Sequence, residues 1–222
     1  MLVAFLALFG GLTIHQAAAT ALFSFLFTGI LGTWLYQRRR SIDWRITLPV
    51  CAGAVIFGYA GAALAAVVDP RPLAIVIALL IIGAGVYVFA PARPATHPRD
   101  GRGWRGRVEL ATVGAAAGFG SGFSGAGGPL FSVPIMVILG YVPLTAVATS
   151  QVLQIIAAVS GSLGNWRHGT IDFTVAALVT VFELAGVIAG VRLAHIASPL
   201  VLRRLAGSLC ILTGGLLLMR SL

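Results

Sequence analysis

A glycine-rich interruption inside an apolar stretch is the feature that most constrains how this chain folds. Within residues 108–139, the segment from Gly118 to Pro129 reads Gly-Phe-Gly-Ser-Gly-Phe-Ser-Gly-Ala-Gly-Gly-Pro and contains no lysine or acid. Glycine and proline unwind a membrane helix only where protein or a water-filled cavity satisfies the freed backbone groups. The pattern therefore predicts a broken helix at membrane depth, with a functional site at the break.

The composition determines the solvent in which the chain folds. Of its 222 residues 59% are hydrophobic and only 9% are charged, and the mean hydropathy is +1.00. This predicts an all-α integral membrane protein. Six apolar windows of spanning length can be placed, at His15–Tyr36, Ile46–Val68, Pro72–Phe89, Thr145–Leu163, Phe173–Ala194 and Leu200–Met219.

The net charge of +9 comes from arginines that cluster in loops. One cluster joins Arg38, Arg39 and Arg40 with Arg45, and the other lies between Arg93 and Arg107. Loops rich in arginine stay in the cytoplasm, so both are predicted to lie on the same side of the membrane. The charge therefore reports topology, and we expect the lipid bilayer, and no nucleic acid, as a partner.

The chain also repeats itself at a constant spacing of 129 residues. That spacing relates Ile42-Asp43 to Ile171-Asp172, where each aspartate precedes an apolar run and is expected to cap a helix. It also pairs Ala17 with Ala146, Thr20 with Thr149, Gly32 with Gly161, Gly61 with Gly190, Pro70 with Pro199 and Gly85 with Gly214. The sequence thus predicts a first membrane repeat over 1–90, a basic cytoplasmic linker over 91–107 and a second repeat over 108–222.

The arginines also predict how the two repeats are oriented. If residues 108–139 dip into the membrane and return as two half-helices, the loop at Arg192–Arg204 lies inside and the Trp166–Thr170 loop lies outside. That layout obeys the positive-inside rule better than a single crossing, and it makes the repeats inverted. Shifted back by 129 residues, the glycine-rich break falls before residue 1, so the first repeat is expected to lack its own first element.

Several short motifs resemble the TauE/SafE sulfite exporter family, also called the 4-toluene sulfonate uptake permease family. They are Gly120-Ser121-Gly122-Phe123-Ser124-Gly125-Ala126-Gly127-Gly128-Pro129, Val133-Pro134, Gly140-Tyr141-Val142-Pro143, Ala146-Val147-Ala148-Thr149-Ser150 and Gly169-Thr170-Ile171-Asp172. The resemblance covers nearly the whole chain. It implies a bacterial inner-membrane carrier, in particular an exporter, of sulfite or small organosulfonates.

The break itself supplies the first candidate binding residues. A half-helix that starts at Gly127-Gly128-Pro129 exposes backbone N–H groups and a partial positive charge, which suit the oxygens of sulfite or a sulfonate. Ser124 lies in the same turn and is a further candidate. The alternative is that these glycines only allow helices to pack closely.

Neutral polar side chains in two spans supply the remaining candidates. Thr149, Ser150 and Gln151 open one span, and Ser150 shares a helix face with Gln154. Thr20 and Ser24 belong to a similar stripe in the first repeat, which runs Gln16, Thr20, Ser24, Thr28. These groups either bind an anion that must also be released or form hydrogen bonds between helices.

Glu183 is the one ionisable residue near the middle of a predicted span. A carboxylate there is costly unless it is paired, neutralised or facing a cavity, so Glu183 is the candidate for proton coupling. The alternative is a structural role in which it stays neutral and hydrogen-bonded.

Other classes of function fit the sequence less well. No nucleophile, base and orienting group form a recognisable set, so we do not expect an enzyme. The scattered histidines and two cysteines predict neither a metal site nor a cofactor. The sequence therefore predicts a secondary transporter of a small anion, coupled to the proton gradient; a passive anion channel of the same fold is the alternative, and a homodimer stays open.

Overall fold

The computed structural model of the protein describes residues 2–89, 103–166, 171–193, 207–208 and 211–219. These residues contain no strand, which confirms the all-α prediction. The helices are α1 (Leu2–Phe9), α2 (Ile14–Arg38), α3 (Trp44–Val67), α4 (Pro70–Phe89), α5 (Trp104–Ser124), α6 (Pro129–Ile138), α7 (Pro143–Trp166) and α8 (Phe173–Leu193). Residues 211–219 are also helical.

Helices long and apolar enough to cross a membrane occur at four of the six predicted windows. They are Ile14–Arg38, Trp44–Val67, Pro70–Tyr87 and Leu144–Gly164. The fifth window corresponds to α8, whose described apolar stretch, Phe173–Ala189, is shorter. Residues 200–206 and 209–210 of the sixth window, residues 90–102 of the linker region, and the loops at 167–170 and 194–206 lie outside the described residues.

Three of the helix starts are fixed by side-chain caps. Thr13 and Gln16 form a capping box at the start of α2. The carboxylate of Asp43 accepts a hydrogen bond from the backbone N–H of Arg45 at 2.9 Å, and Asp172 accepts one from Thr174 at 3.0 Å. The two aspartates predicted as caps from the repeat therefore do cap α3 and α8.

Helices α3 and α5 pack at backbone contact, and glycines make this possible. A Cβ atom at Gly114 would meet the carbonyl oxygen of Val50, and one at Gly122 would meet that of Gly58. Gly118 lies in the same way against Ala54. The expected unwinding from Gly118 onward is therefore wrong for residues 118–124, which continue α5 because their glycines serve close packing.

The interruption is confined to residues 125–128, between α5 and α6. Gly128 packs against Leu153 and Gln154, halfway along α7, and the ring of Phe131 folds back over Gly120 of α5. The chain thus enters the bundle along α5 and returns along α6. Helices α5 and α6 therefore form a hairpin that turns back inside the bundle, although α5, with 21 residues, is longer than the half-helix that was predicted.

Contacts between helices give their relative directions. Gly161 and Gln151 of α7 lie against Leu22 and Gly32 of α2, so α2 and α7 are antiparallel. Val50 and Gly58 of α3 lie against Gly114 and Gly122 of α5, so these two helices are parallel. Thr47 meets Thr149 and Gly58 meets Ser160, so α3 is also parallel to α7.

The described arginines of the two predicted clusters lie at the same end of the bundle. Arg45 at the start of α3 and Arg107 at the start of α5 line one groove. Leu144 at the start of α7 lines a neighbouring groove with Arg39. Helices α3, α5 and α7 therefore all begin at the arginine-rich end.

Candidate functional site

An open cavity of 340 Å³, with polar side chains among mainly apolar walls, lies between α2, α7 and α8. It is lined by Phe25, Thr28, Gln151, Gln154, Glu183, Gly186 and Val187. This volume is at the lower end of the range for small-molecule sites. The fold thus brings the predicted coupling residue, Glu183, next to Gln151, one of the predicted binding residues.

Gln154 organises one wall of the cavity. Its side-chain Nε2 donates to Thr28 Oγ1 at 2.7 Å and to the carbonyl oxygen of Phe25 at 3.1 Å. Both acceptors belong to α2, so the amide fixes α7 against α2 at mid-depth. Its side-chain carbonyl oxygen is not engaged by these two bonds.

Glu183 contributes the acidic group of this cavity. The residue is half-buried on α8, beside the side chain of Ser24. The Ser24 hydroxyl itself donates to the carbonyl oxygen of Ala21 at 2.9 Å. Within the described part of the chain, Oε2 is shielded and has no hydrogen-bond partner. A shielded carboxylate oxygen with no partner is costly in a membrane, so a bound proton or ligand would relieve that cost.

The glycine-rich break lies directly behind the cavity wall. Gly125 and Gly127 adopt left-handed backbone angles, with φ of 64° and 86°, which residues with a Cβ rarely take. A Cβ at Gly127 would lie 3.3 Å from the Phe25 ring, and one at Gly128 would lie 3.3 Å from the backbone nitrogen of Gln154. Phe25 and Gln154 both line the cavity, so the break and the cavity share a wall.

The start of α6 is buried and has no side-chain cap. The N–H groups of Phe131 and Ser132 both donate to the carbonyl oxygen of Gly128, at 3.3 and 3.0 Å. Pro129 has no N–H group, and the N–H groups of Gly128 and Leu130 have no acceptor inside the helix, as at any helix start. Ser124 does not reach α6; its hydroxyl donates to Gly120 and accepts from the N–H of Ala126, closing α5.

Three of the predicted binding residues lie elsewhere. Thr20 Oγ1 accepts from the backbone N–H of Asp172 at 3.2 Å, at the start of α8. Thr149 Oγ1 lies 3.1 Å from Thr47 Oγ1, at the start of α3. Ser150 donates to the carbonyl oxygen of Val147 within its own helix. All three are buried away from the cavity.

Thr28 and Gln154 line the cavity, but the sequence identified them only as members of polar stripes and not as candidate binding residues. Phe25, which contributes its backbone carbonyl and its ring, carried no polar signal in the sequence. The 129-residue spacing pairs Phe25 with Gln154, so Phe25 could have been found as the repeat partner of a polar residue. The two are hydrogen-bonded to each other. Among the described residues, no three His, Cys, Asp or Glu side chains are grouped to hold a metal ion.

The chain matches a known family of membrane proteins over almost its whole length. Residues 1–217 match the family described as Sulfite exporter TauE/SafE. The chain belongs to the TauE/SafE family. This confirms the resemblance found in the glycine-rich and Gly-Tyr-Val-Pro motifs.

Two relatives from Bacillus subtilis (strain 168) are similar to this TauE/SafE chain. The probable membrane transporter protein YdhB is 26% identical over 206 residues, which cover 90% of this chain and 83% of that protein. The probable membrane transporter protein YunE is 24% identical over 183 residues, covering 75% and 67%. No solved structure matches. Family and fold together establish a multi-pass membrane transporter.

Proposed function

We propose that this transporter exports sulfite or a small organosulfonate anion, coupled to the proton gradient. The observation that carries the proposal is the shielded carboxyl group of Glu183 in a mid-depth cavity whose other polar groups are neutral. The family description supplies the substrate class. The cavity supplies a protonatable group where a carrier needs one.

Coupling follows from the charges in the cavity. A negatively charged Glu183 repels an anion, whereas a protonated Glu183 is neutral and can donate a hydrogen bond to a sulfur oxyanion. Anion binding and proton binding would then favour each other, as two linked ligands do. Anion and proton would cross together, so export would run down the anion's own concentration gradient and flux would be stimulated when the imposed proton gradient points in the same direction. Arginine and lysine are absent from the described lining residues, so the anion would not be held too tightly to leave.

The buried start of α6 would provide the positive end of the site. Its backbone N–H groups and helix dipole favour a negative charge near Gly127 and Gly128. Because these glycines share a wall with the cavity, an anion between the break and Gln151 would face donors on both sides. Ser24, beside Glu183, would add a hydroxyl.

Opposed directions of equivalent helices support an alternating-access carrier built from inverted repeats. The 129-residue spacing relates α2 to α7 and α3 to α8, and α2 and α7 are antiparallel. Gly11 and Gly140, also 129 residues apart, both have left-handed backbone angles before the paired helices α2 and α7. Such repeats commonly place the substrate at mid-membrane between them.

The test is flux in proteoliposomes, with sulfite, sulfate and small sulfonates offered with and without an imposed pH gradient. We expect saturable flux of a sulfite or sulfonate that the gradient stimulates. The Glu183→Gln variant should keep saturable flux but lose the stimulation. Glu109→Gln, the same change on α5 away from the cavity, is the matched control and should behave like the parent protein.

Two outcomes would contradict the proposal in different ways. Gradient-independent flux that does not saturate would favour a passive anion channel of the same fold. Equal stimulation of the parent protein and of Glu183→Gln would remove Glu183 from coupling while leaving transport in place.

A further inference from the structure

A second cavity, of 970 Å³, lies at the arginine-rich end of the bundle between α3 and α5. Its mouth contains Arg45 and Arg107 together with Trp44 and Trp104. All four side chains are exposed. The groove is separate from the mid-depth cavity, and no step of the proposed transport uses it.

The groove has two chemically different parts. Below the arginines, its walls are the apolar side chains of Leu48, Pro49 and Ala52 on α3 and of Val108 and Ala111 on α5. From Arg45 to Ala52 the helix rises about 10 Å, enough to bury the upper part of an acyl chain. The floor exists because Gly53 lets the backbone of α3 touch Ala111.

The charge of the groove is unbalanced. The described residues that line it include no Asp or Glu. Asp43 lies in the neighbouring groove, and its Oδ1 accepts the backbone N–H of Arg45. Two guanidinium groups therefore face a ligand whose negative charge must come from outside the protein, and guanidinium matches phosphate geometry.

We propose that this groove binds an anionic phospholipid of the surrounding membrane. The phosphate would lie between Arg45 and Arg107, and one acyl chain would follow the apolar wall down to Ala52. Exposed tryptophans such as Trp44 and Trp104 mark the depth at which lipid headgroups lie. Basic pockets between membrane helices recognise anionic headgroups in this way.

The test is native mass spectrometry of the full-length protein, delipidated in detergent and titrated with phosphatidylglycerol or with phosphatidylcholine of the same acyl chains. We expect the parent protein to prefer phosphatidylglycerol. Loss of two interfacial arginines in the double variant Arg45→Gln/Arg107→Gln should weaken phosphatidylglycerol binding by about 20- to 30-fold. The double variant Arg38→Gln/Arg105→Gln removes as much charge from exposed positions outside the groove and should bind like the parent protein.

A single variant tests the same groove if Arg45→Gln/Arg107→Gln does not fold. Ala52→Phe fills the apolar part of the groove without changing any charge, and it should also weaken phosphatidylglycerol binding. Competition with inorganic phosphate separates a lipid site from a vestibule for free anions. The proposal is overturned if inorganic phosphate displaces phosphatidylglycerol at comparable concentration, or if the parent protein binds phosphatidylcholine equally well. It is also overturned if the control double variant loses as much affinity for phosphatidylglycerol as Arg45→Gln/Arg107→Gln, or if Ala52→Phe binds phosphatidylglycerol as the parent protein does.

Discussion

Thr20 and Thr149 occupy equivalent positions in the two halves, and each contacts the start of a helix in the other half. Thr20 accepts the N–H of Asp172, and Thr149 meets Thr47, whose own hydroxyl donates to the carbonyl of Asp43 at 2.8 Å. The proton in the Thr149–Thr47 pair therefore comes from Thr149. Both threonines are fully buried, so these bonds hold the halves together.

Thr20→Val should lower the free energy of unfolding in detergent by about 1–2 kcal/mol, because the N–H of Asp172 loses its acceptor. Thermal unfolding followed by tryptophan fluorescence measures this. Thr33→Val is the matched control on the same helix: Thr33 Oγ1 is shielded and without a partner among the described residues, so its loss should be neutral or stabilising. Equal effects of the two changes would contradict a specific role for Thr20.

At the scale of helical elements, the same glycine-rich sequence has two different uses. Gly114, Gly118 and Gly122 stay helical and bring α5 against α3, whereas residues 125–128 form the break. The packing alternative left open by the sequence therefore applies to the first part of the motif. Amino-acid composition could not distinguish the glycines that pack against a helix from those that form the break. The two groups differ only in whether the backbone of a neighbouring helix, here α3, lies against the glycine.

Gly122→Ala should destabilise the protein by about 1–3 kcal/mol, because the added methyl group would meet the backbone oxygen of Gly58, which cannot move aside. Gly83→Ala on α4 meets nothing within 4 Å and should be neutral or stabilising by up to about 1 kcal/mol. Size-exclusion profiles of heated samples compare the two. A Gly122→Ala protein as heat-resistant as Gly83→Ala would show that α3 and α5 do not pack at backbone contact.

At the scale of the whole molecule, helix directions decide which loops share a side of the membrane. Helices α3, α5 and α7 begin at the arginine-rich end, and α6 returns to it. Helix α8 begins at the opposite end, where Asp172 meets Thr20 near the start of α2. The positive-inside rule predicts that the arginine-rich end is cytoplasmic.

Single cysteines introduced for Ser41, Arg105 or Leu144 should therefore be protected from a membrane-impermeant maleimide in intact cells, and Thr174→Cys should be labelled. A background without Cys51 and Cys210 removes native thiols, and disrupted cells, where all four positions should react, control for access. Labelling of Leu144→Cys with protection of Thr174→Cys in intact cells, the pattern that a single crossing by residues 108–139 gives, would contradict the re-entrant path of α5 and α6.

The sequence by itself determined the solvent, most of the helices and the family, because these depend on hydrophobicity, charge and local spacing. It also singled out Glu183, since a lone acid in an apolar span is conspicuous. Only the tertiary structure decided that Gln151, Gln154 and Thr28 face Glu183 while Thr20 and Thr149 join helix starts. Residues on one polar stripe have the same local signal, and they differ only in which neighbouring helix packs beside each of them.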